Sequence, residues 1–141
     1  MAQILVIEDD PMNSRLFDLI LSRKGGHEVV IAKDAEDAVQ RGTSGDFSLI
    51  IMDVALQNWA YRGQEVSGID LIKIIRRMNP SRIPPILLAT AFAMKNDREN
   101  LLRESGAEGY FSKPIQDHDE FLSSVKSLIE APMAGKSRQD E

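Results

Sequence analysis

The 141-residue sequence predicts an α/β fold: a doubly wound, five-stranded parallel sheet with five helices. Two observations lead there. Short, β-branched apolar runs alternate in strict order with helix-length stretches, a pattern that calls for a mostly parallel sheet with right-handed crossovers and helices on both faces. The runs are continuous rather than alternating, as strands buried on both sides are.

The first run, Ile4-Leu5-Val6-Ile7, is followed by Glu8-Asp9-Asp10. Pro11 suits the first turn of a helix, with Asp10 as its N-cap. Leu16, Leu19 and Ile20 continue one face, and Gly25-Gly26 ends the helix. Residues 28–32 form a second strand. Asp34 caps a second helix, with Asp37 as its capping-box partner, running to about Arg41 and the Gly42-Thr43-Ser44-Gly45 turn. Leu49-Ile50-Ile51-Met52 is the third strand and ends on Asp53. Residues 54–67 show no period. Gly68 leads into a stripe of Leu71, Ile72, Ile74, Ile75 and Met78 that stops before Pro80. Pro84-Pro85 opens a fourth strand over 86–90, a helix follows over 95–104, and residues 108–112 form a fifth strand closed by Lys113-Pro114. Phe121, Leu122, Val125, Leu128 and Ile129 face one side of a last helix. Residues 131–141, mixed in charge and holding Pro and Gly, read as a disordered tail.

Composition narrows the chemistry. The absence of cysteine removes disulfides, thiolate nucleophiles and Cys-ligated metals. His27 and His118 are the only histidines and read as surface residues rather than ligands. A net charge of −5 argues against direct nucleic-acid binding. The longest uncharged stretch, 83–94, carries two prolines and falls short of the ~20 apolar residues of a membrane span. No signal peptide opens the chain, so a cytoplasmic location is expected.

In an open α/β sheet, ligands bind beyond the carboxyl ends of the strands. There the sequence places Glu8, Asp9 and Asp10 after the first strand, Asp53 after the third, Thr90 ending the fourth and Lys113 after the fifth. Each has a plain structural reading alone, and for Asp10 the cap is the better one. Asp53 has the weakest one, since no helix start stands behind it. Together they form a set: clustered carboxylates resist ionisation unless a cation sits among them. All-oxygen ligands beside open water suit Mg²⁺. A metal, an ammonium and a hydroxyl are the equipment of phosphoryl transfer, and a carboxylate would be its nucleophile.

At these motifs the sequence closely resembles the receiver domain of two-component response regulators, the CheY-like, flavodoxin-like fold. The resemblance spans about 3–130 through Ile4-Leu5-Val6-Ile7-Glu8-Asp9-Asp10, Leu49-Ile50-Ile51-Met52-Asp53, Leu87-Leu88-Ala89-Thr90-Ala91 and Gly106-Ala107-Glu108-Gly109-Tyr110-Phe111-Ser112-Lys113-Pro114. It implies strand order 2-1-3-4-5, a stand-alone receiver over 1–130 and a tail over 131–141. Asp53 corresponds to the phosphoacceptor. Asp9 and Asp53 would ligate Mg²⁺ directly, Glu8 mainly through water, and Ala55 through its backbone carbonyl. Thr90 corresponds to the switch hydroxyl, Tyr110 to the coupled aromatic, and Lys113 to the cation that meets the phosphoryl group, with a cis Lys113–Pro114 bond.

The resemblance implies a sensor histidine kinase or phosphotransfer protein as donor, docking on the first helix with Pro114 and Ile115. It implies a separate effector protein reached through the fourth helix, fifth strand and fifth helix, and a monomer or a phosphorylation-dependent dimer. The chain departs from the family in residues 54–67. The usual Met-Pro loop is absent, and Gly68 arrives late, after an insertion with Trp59, Tyr61, Arg62 and Glu65. That insertion reads either as a tolerated surface loop or as a partner-binding element anchored by Trp59 and Tyr61. An extra residue also precedes the fourth helix, and Phe92 falls two past Thr90, where the family tunes the lifetime of the phosphoryl group, so the resemblance implies slow hydrolysis of an aspartyl phosphate. The competing readings are a non-phosphorylated pseudo-receiver acting as a binding module, a small metal-dependent phosphatase, and a flavodoxin-like cofactor binder. The phosphatase reading wants a second Asp where Ala55 stands. The flavin reading wants a Ser/Thr/Gly-rich phosphate loop where Glu8-Asp9-Asp10-Pro11 stands.

Overall fold

The computed structural model describes residues 2–80, 83–91 and 95–130, without the side chains of 95–98. The elements run β1 (Gln3–Ile7), α1 (Pro11–Asp18), β2 (Glu28–Ile31), α2 (Ala35–Gly42), β3 (Leu49–Asp53), β4 (Ala60–Tyr61), β5 (Gln64–Glu65), α3 (Gly68–Met78), β6 (Ile86–Thr90), α4 (Lys95–Ser105), β7 (Gly109–Ser112) and α5 (His118–Ile129). The main sheet is parallel, in the order β2-β1-β3-β6-β7. With the small β4-β5 pair set aside, this is the expected order 2-1-3-4-5. Phe92 and the residues before α4 lie outside the described residues, as does the expected tail over 131–141.

Successive residues of the central strands bury opposite faces, so two cores form. Leu5, Ile7, Ile50, Met52, Ile86 and Leu88 pack with Ala38 and Val39 of α2 and Leu71, Ile72 and Ile75 of α3. Ile4, Val6, Leu49, Ile51, Leu87 and Ala89 pack with Phe17 of α1 and Phe121 and Val125 of α5. Burying a side chain of this kind stabilises by roughly 1.5–3 kcal/mol, so these layers fix the strand ends that carry the polar residues. Phe121 packs against Phe17 at 5.8 Å and Phe111 at 4.9 Å between ring centroids.

The caps follow the sequence closely. Asp10 Oδ1 accepts from the Met12 N–H at 2.9 Å. Asp34 Oδ1 accepts from the Asp37 N–H at 2.7 Å, but Asp37 Oδ2 accepts from Lys33 N–H rather than from the cap residue. The closed capping box is at α3, where Ser67 and Asp70 each accept the other's backbone N–H.

Two expectations require correction. α1 gives way to a π-helical stretch over Leu19–Lys24, in which Gly25 N–H reaches the Ile20 carbonyl at 3.0 Å. The Ser22 hydroxyl donates to the Asp18 carbonyl at 2.6 Å, a local bond that competes with regular helix geometry. The wider turn shifts the phase of the helix. Leu21 is therefore buried, and Leu19, expected on the inner face, is 44 % exposed. Residues 54–67 are not structureless. They form a two-stranded antiparallel hairpin pairing Ala60 with Glu65 and Tyr61 with Gln64. Its two-residue turn, Arg62-Gly63, has φ of 54° and 83°, the left-handed pair that matches strand twist.

Candidate functional site

β1 and β3 are central and adjacent, so Glu8 and Asp53 emerge side by side at their carboxyl ends. Both are buried, 4 % and 3 % exposed. β6 borders β3 on its other side and ends on Thr90, 1 % exposed. The Lys113 N–H bonds to the Thr90 carbonyl at 2.8 Å, which turns the end of β7 over that of β6. From there the Lys113 ammonium donates to Glu8 Oε1 at 3.0 Å and Asp53 Oδ1 at 3.2 Å. The Lys113–Pro114 bond is cis.

Backbone donors complete the cluster. The Asp10 N–H donates to Glu8 Oε2 at 3.2 Å, and the Ala55 N–H to Asp53 Oδ1 at 3.2 Å. Asp9 is half-buried, and its Oδ2 accepts from the Gln57 N–H at 2.8 Å. Glu8, Asp9 and Asp53 each offer a carboxylate oxygen within 4.8 Å of the others. Neither histidine belongs to the group: His27 Nδ1 accepts from the Ala2 N–H at 3.2 Å, and His118 opens α5. Asp10 stays out of it too, exposed at its cap.

Three carboxylates around one ammonium leave an excess of negative charge. Burial, and after it the neighbouring Asp53 carboxylate, push Glu8 up to about 7 against the pull of Lys113. Burial alone would lower Lys113, but the hydrogen bond to Glu8 and the charges of Asp53 and Glu8 outweigh it and raise it. An additional hard cation would relieve the repulsion, and the donors are all oxygens suited to Mg²⁺.

Residues 4–126 match the family model described as the response regulator receiver domain. The chain belongs to the response regulator receiver family. Among curated relatives of this receiver, the polar-differentiation response regulator DivK of Brucella anthropi is 33% identical over 127 residues, covering 89% of this chain and 94% of DivK. A receiver domain of a sensor histidine kinase from Pseudomonas aeruginosa, solved with magnesium coordinated in its active-site cleft, is 29% identical with a TM-score of 0.74, covering 92% and 98% of the two chains. The chemotaxis protein CheY4 of Vibrio cholerae shares the fold at 23% identity, with a TM-score of 0.74 over 91% of this receiver and 98% of CheY4.

The acidic group, Asp53, Thr90 and Lys113 thus converge as the strand-end reasoning expects. Tyr110 is half-buried on β7, in register with Leu88, its hydroxyl 3.2 Å from Ser112 Oγ. Trp59 and Tyr61 are half-buried: both pack against the core between the sheet and α2 and α3, and the Tyr61 hydroxyl reaches Met78 Sδ at 3.8 Å. Of the expected docking residues, Pro11, Met12 and Pro114 are exposed, but Ile115 is turned into the core at 8 % exposure. Sequence reasoning missed the Gln57 amide, a backbone donor with no residue signature. No helix among the described residues is long and apolar enough to cross a membrane.

Proposed function

We propose that this receiver takes a phosphoryl group onto Asp53 from a phosphohistidine of a sensor histidine kinase or phosphotransfer protein, in a Mg²⁺-dependent reaction, and changes conformation to control a separate effector. The supporting observation is the Lys113 ammonium lodged between two buried carboxylates at 3.0 and 3.2 Å, at the mouth formed by three strand ends. A buried carboxylate with a fixed cation beside it is arranged for charge that arrives from outside. The receiver unit is 1–130.

Asp53 Oδ1 is engaged by the Ala55 N–H and Lys113, so Oδ2 is the attacking oxygen. Its lone pair forms the O–P bond as the P–N bond breaks, and the electron pair of that bond returns to the imidazole nitrogen. Asp9 and Asp53, Glu8 through water, and the Ala55 carbonyl would hold Mg²⁺, which when bound neutralises charge on the phosphoryl oxygens. Lys113 exchanges part of its bonding to Asp53 for a phosphoryl oxygen, and the Thr90 hydroxyl donates to another. Movement of Thr90 toward the phosphate opens space for Tyr110, shifting an existing equilibrium of the α4–β7–α5 surface.

Incubation with acetyl phosphate and Mg²⁺ tests the reading. The expected result is a mass gain of one phosphoryl group on the wild-type chain, lost on removing Mg²⁺ and absent in Asp53→Asn. Mg²⁺-dependent labelling that persists in Asp53→Asn overturns the assignment. Failure of any phosphodonor to label the wild type favours a pseudo-receiver.

A further inference from the structure

The segment leading into the inserted hairpin is tied to Asp9 by the Gln57 N–H, which donates to Asp9 Oδ2 at 2.8 Å. We infer that this amide is a positioning group for the metal site, so that the hairpin presets the Asp9 carboxylate for a divalent cation. The inference rests on the reading of Glu8, Asp9 and Asp53 as metal ligands.

The geometry of the insertion supports it. Asp9 is the half-exposed member of the acidic group, whereas Glu8 and Asp53 are each pinned by Lys113 and a backbone N–H. Among the described residues, the Gln57 N–H is the donor that orients Asp9. That donor sits on a braced segment. On one side, Val54 N–H bonds to the Ala89 carbonyl at 3.1 Å. On the other, half-buried Trp59 packs against the core and its carbonyl accepts from the Val66 N–H at 2.9 Å, closing the hairpin. Gly68 N–H then returns to the Val54 carbonyl at 3.1 Å. A donor fixed in this way holds one carboxylate oxygen and leaves the other for the cation. Partners of this kind, one step removed from the metal, commonly set its affinity. Coupling is reciprocal, so cation binding must also tighten the Gln57 bond.

The test uses the full chain, with Mg²⁺ alone as the probe and two readouts. Calorimetric titration compares wild type, Gln57→Ala, which keeps the amide N–H, and Gln57→Pro, which lacks it. Gln57→Ala should bind like wild type, and Gln57→Pro roughly tenfold more weakly. Equal affinity in Gln57→Pro overturns the inference, as does a matching loss in Gln57→Ala. Amide hydrogen exchange on the unmodified chain is the second readout, and it decides alone if Gln57→Pro does not fold. The Gln57 amide should exchange more slowly with Mg²⁺, and unchanged or faster exchange overturns the inference. If wild type binds no Mg²⁺ at all, the metal-site reading itself fails.

Discussion

Gly68 lies directly against the main chain of Asp53: a Cβ at position 68 would overlap the Asp53 carbonyl oxygen and come within 3.0 Å of the Val54 Cα. The first residue of α3 therefore sets how closely that helix approaches the end of β3, and with it where the Asp53 carboxylate stands. Gly68→Ala should destabilise the chain by about 1–3 kcal/mol, as overpacking of a tight interior does. It should also slow acetyl phosphate labelling, because the obstacle is backbone and cannot swing aside. Urea unfolding alongside the labelling rate checks both. Wild-type values for the two would show that the junction yields freely.

Lys113 offers a second handle on the same carboxylates. Its side chain is 14% exposed, while those of Glu8 and Asp53 are 1% and 3% exposed. Replacing one member of a buried ion cluster leaves the others uncompensated. Lys113→Met keeps most of the aliphatic stem and removes the charge. It should cost about 3 kcal/mol at about pH 8 and much less at about pH 5, where Glu8 can protonate instead. Denaturation at the two pH values measures the difference, and an equal loss at both would mean that packing, not charge, explains the effect.

The sequence is informative where burial is complete and much less so where it is partial. β3 and β6 read as unbroken apolar runs because every residue in them is buried, and their ends placed Asp53 and Thr90 without reference to any relative. The ion pairs of Lys113 bridge 105 and 60 residues of sequence and became legible only through the rule that strand ends converge. The phase of the helix after α1 was not legible, because the π-helical stretch breaks the regular period that places Leu19 inward. The hairpin was hidden for another reason: strands of two residues are too short to display alternation, and its packing depends on Trp59 and Tyr61 turning toward the core.

The hairpin's turn makes a separate prediction. Gly63 has φ of +83° and open space where a Cβ would go, so the barrier to a side chain there is conformational alone. Gly63→Ala should cost about 1 kcal/mol, and Gly63→Asn should recover much of it, since Asn tolerates the left-handed region better. Urea unfolding of the two variants distinguishes them. Equal stability of all three chains would mean that the turn relaxes to another form.

Glu8 also makes stability depend on pH in a direction opposite to that of an ordinary ion-paired carboxylate. Its usual value of 4.5 applies to the unfolded chain, and the folded site holds it at about 7, through burial first and Asp53 second. Between those values the folded state binds more protons than the unfolded state, so the Glu8 contribution to stability falls as pH rises through the window and levels off above about 7. His27 works the other way. Burial and then the N-terminal charge lower it from its ordinary 6.5, so its contribution is present above that value and is lost as pH falls below it. The two overlap, and the difference between wild type and Glu8→Gln isolates the first. That difference should shift steadily in favour of the Gln variant as pH rises from 4.5 to about 7. A cation bound among the carboxylates favours the ionised form, so Mg²⁺ should stabilise wild type more at about pH 8 than at about pH 5. Thermal unfolding with and without Mg²⁺ across this range provides the check. A difference between wild type and Glu8→Gln that stays flat with pH would place the Glu8 carboxyl in an ordinary solvated environment.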